Sequence, residues 1–231
     1  MTEETSPRPK PDIGAYNDVL ASMYDRATAA ENWSVNGLLA ANLTGELATH
    51  IHSALDLGAG TGQTVAAIID VVQPERIVAV DASASMLVEL RNKFPEPVVQ
   101  TEQTLIEEYA GRTSETFDLV TAMGSMEFVG ELPNTLGKIA ALLNSGGSLL
   151  FTYIPRADNG QSERTFEVPS FSAAFTEFYW PSTEIENSLT SNGLVITHTD
   201  SFAAYQRGDE TVTYNFIHAQ KSLQSPQDSL I

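Results

Sequence analysis

Short runs of apolar, largely β-branched residues alternate along the chain with stretches whose apolar positions recur every three or four residues. Such alternation is the pattern of a parallel sheet covered by helices on both faces. Residues 16–48 read as helical, with Val19, Leu20, Met23 and Tyr24 and then Leu38, Leu39, Leu43 and Leu47 at helical steps. A strand over 51–57 runs into a glycine-rich turn, a helix follows over 63–72, and Pro74 closes it. Strands are predicted at 76–81, 97–100 and 117–122, separated by a helix that Ser83 caps and by a short helix at 105–110. A helix over 132–143 is read as stopped by Asn144-Ser145-Gly146-Gly147, and a strand follows over 148–154. Thr183 and Glu186 form the pattern of a capping box for a helix ending at Asn192-Gly193. The last two strands, 194–199 and 211–219, are joined through Arg207-Gly208-Asp209 and predict an antiparallel hairpin. The whole predicts a doubly wound α/β domain with a seven-stranded, mostly parallel sheet.

Residues 155–180 break this rhythm, polar at first and then aromatic with Phe175, Phe178, Tyr179 and Trp180. A long stretch without periodicity is expected to be a functional lid or an insert. The single domain is placed at residues 13–221, with 1–12 as a disordered leader and 222–231 as a tail.

Composition narrows the function. The 231 residues are 42% hydrophobic and 18% charged, which is ordinary for a globular protein. There is no cysteine, which removes disulfides, thiolate metal sites and any cysteine nucleophile. The net charge of −18 repels phosphate backbones and anionic membrane surfaces, so neither nucleic acid nor membrane is expected as a partner. The first residues lack the apolar core of a signal peptide, and no apolar run approaches the ~20 residues of a membrane helix. A cytoplasmic location is the expectation; oligomeric state is not legible.

The strongest chemical signal is Ala54-Leu55-Asp56-Leu57-Gly58-Ala59-Gly60-Thr61-Gly62, a strand entering a glycine-rich turn ahead of a helix. Glycines there admit a ligand close to the backbone, and the helix start offers free N–H groups. Asp81 ends the next strand, where an acid can accept hydrogen bonds from both ribose hydroxyls. A nicotinamide dinucleotide fingerprint needs a third glycine where Gln63 stands. Asp56, two residues before the first glycine, suits a cationic ligand better than a pyrophosphate.

Together with VAVDASASML, the turn resembles the first two motifs of class I S-adenosylmethionine-dependent methyltransferases. Residues 117–122 resemble that family's fourth strand, and LLNSGGSLL its approach to the fifth, with Ser145 at the usual proline. Met23-Tyr24-Asp25 resembles the motif of the ubiquinone and menaquinone methyltransferase-like group. The resemblance implies a Rossmann-like fold, S-adenosylmethionine as cofactor and S-adenosylhomocysteine as product. It implies that Gly58, Ala59 and Gly60 line the methionine moiety, with Asp56 acting through water or the turn. Asp81 would hold the ribose, Ala82 and Met86 would lie on the adenine, and Ala122 and Met123 would meet the ammonium by backbone carbonyl. Tyr24 would cover the carboxylate end. The family's adenine-binding Asp is replaced here by Thr101, with Glu102 or Gln103 as its substitute.

Methyl transfer to a small-molecule N- or O-nucleophile is the reading these residues favour. A base is required only if the acceptor must lose a proton. Glu127 stands after the fourth strand, where it could attract an amine or accept a proton, or serve as a solvent-facing or capping acid. Phe175, Phe178, Tyr179 and Trp180 are candidates for the acceptor pocket, or for aromatic packing at the sheet edge. Two other functions stay open: a cofactor-binding regulatory partner without turnover, and a nicotinamide-dependent oxidoreductase. No metal-ligand spacing is present.

Overall fold

A computed structural model describes residues 11–223 except 30, 32, 33, 158 and 169–171. The leader and most of the tail, 1–10 and 224–231, lie outside the described residues. The helical region 16–48 is not one helix. It divides into α1 (Ile13–Leu20), a tight 3₁₀ turn (Ala21–Met23), α2 (Tyr24–Thr28), α3 (Val35–Asn42) and α4 (Glu46–Thr49). The breaks have local causes. Asp12 caps α1 by accepting the Ala15 N–H, and Ser34 starts α3 by accepting the Gly37 N–H. Gly45 then turns the chain at φ 60°.

The main sheet has seven strands in the order β3-β2-β1-β4-β5-β9-β8. These are β1 (Ser53–Leu57), β2 (Arg76–Asp81), β3 (Val99–Gln103), β4 (Phe117–Ala122), β5 (Leu143–Tyr153), β8 (Leu194–Arg207) and β9 (Glu210–Lys221). The first five pair in parallel, and β9 inserts antiparallel between β5 and β8. The remaining helices are α5 (Gln63–Val72), α6 (Ala84–Lys93), α7 (Ile106–Arg112), α8 (Leu132–Ala141) and α9 (Ser182–Ser191). Leu39, Val65, Ile68, Leu87 and Leu90, from α3, α5 and α6, fill one core against the sheet. Ile106, Leu136, Ile139, Ile185 and Leu189, from α7, α8 and α9, fill another. Each such fully buried aliphatic side chain contributes about 1.5–3 kcal/mol. Asp118 ties strand starts together, accepting from the backbone N–H groups of His52 and Ser53 and from the Asn144 amide. Among the described residues no helix is long and apolar enough to cross a membrane.

Three local readings are corrected. Asn144–Gly147 does not cap α8 but forms the irregular start of β5, where the pairing with β4 shifts register between Phe117 and Leu119. A Cβ on Gly147 would stand 3.0–3.2 Å from the carbonyls of Asn144, Phe117 and Asp118, so the bulge needs glycine there. The Thr183–Glu186 capping box does not form. Pro181 precedes α9 and its carbonyl accepts the Glu184 and Ile185 N–H groups, which places Thr183 inside the first turn. The aperiodic stretch contains a two-stranded antiparallel ribbon, β6 (Glu163–Val168) and β7 (Ala173–Phe178). Its charged residues, Glu163, Arg164, Glu167 and Glu177, hid the alternation.

Strand order reverses between β1 and β4, and a crevice opens outside the carboxyl ends of the strands at such a point.

Candidate functional site

The crevice floor is the turn after β1. Gly58 takes φ 75°, and a Cβ there would lie 2.3 Å from that of Ser125 after β4. Only glycine lets the two loops meet so closely. Gly60 donates its N–H to Asp81 Oδ2 at 2.8 Å, while Ser83 N–H reaches Asp81 Oδ1 at 2.8 Å. Burial raises the Asp81 pKa, and these two bonds act against the rise. Asp56 lies beneath the turn, only 1% exposed, and accepts the Thr121 hydroxyl at 2.8 Å. Its Oδ2 has no partner, and burial pushes its pKa up to about 7. Asp56 therefore braces β1 to β4 and lies outside the cavity lining.

Above the turn is a cavity of about 690 Å³, within the range of small-molecule sites. Tyr24, Gly58, Ala59, Gly60, Asp81 and Ala82 line it, as do Met86, Met123, Glu127 and Phe175. The short N-terminal helices form its roof. Asp25 of the Tyr-Asp pair receives hydrogen bonds from Lys93 Nζ at 2.5 Å and Thr61 Oγ1 at 2.5 Å. Burial alone would raise the Asp25 pKa; these partners outweigh it and hold the carboxyl below its ordinary value. Gln63, the residue at the third-glycine position, donates to Thr28 Oγ1 at 2.7 Å and so ties α5 to α2. At the other end of the roof, Asp18 accepts from Ser83 Oγ at 2.6 Å and from Ser85 N–H at 2.9 Å.

The far wall is a polar cluster of which the sequence singled out Glu127 but not its neighbours. Glu127, in the 3₁₀ turn Met126–Phe128, is 2% exposed and accepts the Tyr214 hydroxyl at 2.5 Å. Its Oε2 has no partner. Burial pushes its pKa up to about 7, with the Tyr214 bond opposing the rise. Beside it, Arg207 donates to both oxygens of the buried Glu177, at 3.0 and 2.5 Å, and to the Tyr205 hydroxyl at 2.6 Å. The same guanidinium stacks 4.4 Å over the Phe166 ring. Tyr16 from α1 packs 4.3 Å from the Phe175 ring, and Asp12 N–H bonds the Ala174 carbonyl at 3.0 Å. For the residues missed, only the alternation of Tyr205 with Arg207 at the hairpin end could have pointed to this wall.

Several expected site residues lie elsewhere. Thr101 accepts from Arg91 Nη1 at 3.0 Å, and Glu102 pairs with Arg112. Both are absent from the lining, where Leu105, Ile106 and Glu107 stand instead. The β3 side chains point to its flanks, so the cavity is met by the loop that follows. Ala122 is fully buried within β4. Phe178 packs over Gly130, and Tyr179 donates to Glu177 at 3.3 Å from behind. Trp180 packs against the core beneath α7, α8 and α9. Of the four aromatics, Phe175 alone faces the cavity, joined by Tyr16, Phe128, Tyr205 and Tyr214. Alternation along β7 explains the division: Phe175 and Glu177 point inward and Phe178 does not.

Among the described residues, no group of three or more His, Asp or Glu is placed to hold a metal ion. Residues 55–149 match the family model described as a methyltransferase domain. Solved structures with the same fold include an S-adenosylmethionine-dependent methyltransferase from Clostridium acetobutylicum, at 17% identity and TM-score 0.64, covering 90% of this chain and 99% of that one. A second, from Mesorhizobium loti, has 14% identity and TM-score 0.63 over 81% and 98% of the two chains. A third, DhpI, was solved with S-adenosylhomocysteine and shares 17% identity at TM-score 0.64 over 91% and 95%. No curated protein matches the chain. These structural likenesses are of fold; the motifs of the turn, of Asp81 and of the fourth and fifth strands fall inside the matched segment. That segment matches a methyltransferase domain, and in the architecture around it the chain is similar to solved S-adenosylmethionine-dependent methyltransferases.

Proposed function

We propose that the chain methylates a small molecule held in the same cavity as its cofactor. One observation carries this reading: the glycine turn with Asp81 and the polar wall around Glu127 line a single cavity, roofed by α1 and α2. The lining fits the cofactor. A Cβ at Gly60 would meet nothing within 4 Å, so the backbone there is open to a ligand, and the acidic lining suits a sulfonium. When bound, S-adenosylmethionine supplies an electrophilic methyl group on sulfur. Asp81 accepts from the ribose hydroxyls, Ala82 and Met86 flank the adenine, and the Gly58, Ala59, Gly60 and Met123 backbones hold the amino-acid end under Tyr24. The roof keeps water away, and alignment in such a site supplies up to ~7–11 kcal/mol in favourable cases. The acceptor lies against Phe128, Phe175, Tyr205 and Tyr214. A recessed cavity and the charge of −18 support a small molecule over a nucleic acid.

Calorimetry with S-adenosylhomocysteine, S-adenosylmethionine and NAD tests the reading. Micromolar binding of the sulfur nucleosides and none of NAD is expected. Asp81→Ala should weaken the nucleoside by about 2–4 kcal/mol, because two charge-assisted bonds are lost. NAD binding without a response to either sulfur nucleoside overturns the proposal.

A further inference from the structure

The wall opposite the cofactor turn has a chemistry that selects among acceptors. Glu127 is a carboxylate sealed from water, with one oxygen held by Tyr214 and the other without a partner. A buried acceptor atom without a donor costs free energy that a ligand N–H can return. The lining as a whole is acidic: Glu31, Asp81, Glu107, Glu127 and Glu177 face one guanidinium, Arg207, among the described residues. That guanidinium is paired with both oxygens of Glu177, so the charge it offers an anionic ligand is offset. Aromatic faces from Phe128, Phe175 and Tyr205 complete the enclosure, and such faces attract cations. A phenolate or carboxylate acceptor would place a further negative charge among these acids; an ammonium would relieve it.

We infer that the acceptor is an amine, entering as its ammonium and deprotonated by Glu127 before it takes the methyl group. This rests on the methyltransferase reading above. The step balances. One ammonium proton passes to the Glu127 carboxylate, and the freed nitrogen lone pair forms the bond to the methyl carbon. The carbon–sulfur bond breaks with its electron pair left on sulfur, and the proton on Glu127 later goes to solvent. The nitrogen ends as a methylated ammonium. Burial fits Glu127 to this work, since it brings the pKa up to about 7, near that of a base effective at neutral pH. The groups that face it from neighbouring elements are Tyr214 on β9, Tyr205 and Arg207 on β8, Glu177 on β7 and Tyr24 on α2.

The test uses the full chain saturated with S-adenosylhomocysteine and three matched probes: phenethylamine, phenethyl alcohol and phenylacetate. Calorimetry should show the amine binding at least ten-fold tighter than either oxygen probe. In Glu127→Gln that preference should disappear while the affinity for S-adenosylhomocysteine stays within two-fold, which also certifies the fold. With S-adenosylmethionine, the amine should release S-adenosylhomocysteine with a rate that climbs through about pH 7, and Glu127→Gln should lack that limb. Tyr214→Phe, losing the bond that lowers the Glu127 pKa, should move the limb upward. Tighter binding of the alcohol or the carboxylate, no amine binding, or an unchanged amine preference in Glu127→Gln each overturns the inference. Failure of S-adenosylhomocysteine to bind the unmodified chain would instead sink the underlying cofactor reading.

Discussion

Asp56 and Glu127 pose the same problem at two places: a carboxylate removed from water with one oxygen bonded and the other bare. For Asp56 no ligand is in reach to remedy it, so the cost falls on folding. Its pKa stands near 7 in the folded chain and near 3.9 in the unfolded one, so the folded state keeps a proton that the unfolded state has lost. Stability from this site is therefore intact below about pH 4 and declines as pH climbs to about 7. Asp56→Asn keeps an acceptor for Thr121 without the charge, and should be more stable than the unmodified chain at pH 8 by about 2–4 kcal/mol, with no gain at pH 4. Urea unfolding at the two values measures it; equal gains at both would refute the assignment. Residues of this kind were legible because their signal is local: Asp56, Gly58 and Asp81 sit in one strand–turn–helix–strand stretch. Glu177 and Arg207 meet across 30 positions, and Glu127 and Tyr214 across 87. No window along the sequence joins those partners.

Between elements, the ribbon of β6 and β7 is joined to the end of β8 by the Glu177–Arg207 ion pair and to the start of β9 by Arg164 and Glu210. The Glu177 side chain is 2% exposed and that of Arg207 23%, so the pair is shielded from solvent. Removing one partner from a buried pair costs about 3–5 kcal/mol because the other is left charged and alone. Arg207→Met should therefore loosen the ribbon, with amides of 163–168 and 173–178 exchanging faster while those of β1, β2 and β4 do not change. Arg207→Met with Glu177→Leu should restore most of the protection. If the single variant leaves the ribbon's exchange untouched, the pair does not hold it. Where sequence reading of elements failed, a competing neighbour or a tertiary partner had overruled the pattern. Pro181 took the capping place from Thr183, and the register shift against β4 drew Asn144–Gly147 into β5. The central strands and the helix after the glycine turn, by contrast, carried a clear pattern, and α5, β2 and β4 lie where it put them.

Over the whole molecule the titrating groups pull in two directions. Asp56, Asp81, Glu127 and Glu177 are raised, chiefly by burial, and stability is lost as pH climbs through their range. Burial also acts to raise Asp18, Asp25 and Asp118, but their hydrogen bonds outweigh it and lower all three, so stability is lost as pH falls through theirs. With a net charge of −18 adding self-repulsion at high pH, the unliganded chain should be most stable in mild acid, between about pH 4 and 7. Thermal melts across pH 3–9 would show it, and a maximum at pH 8 or above would contradict it. The roof adds a mechanical property to this picture. Helix α1 is anchored to α6 through Asp18 and to the ribbon through Asp12 and Tyr16, so it spans the cavity as a strap fixed at both ends. A strap of that kind cannot lift over one compartment and stay down over the other. On the proposed function, exchange of the nucleoside and exchange of the acceptor should share a single opening event, and a change that slackens either anchor should speed release of both ligands.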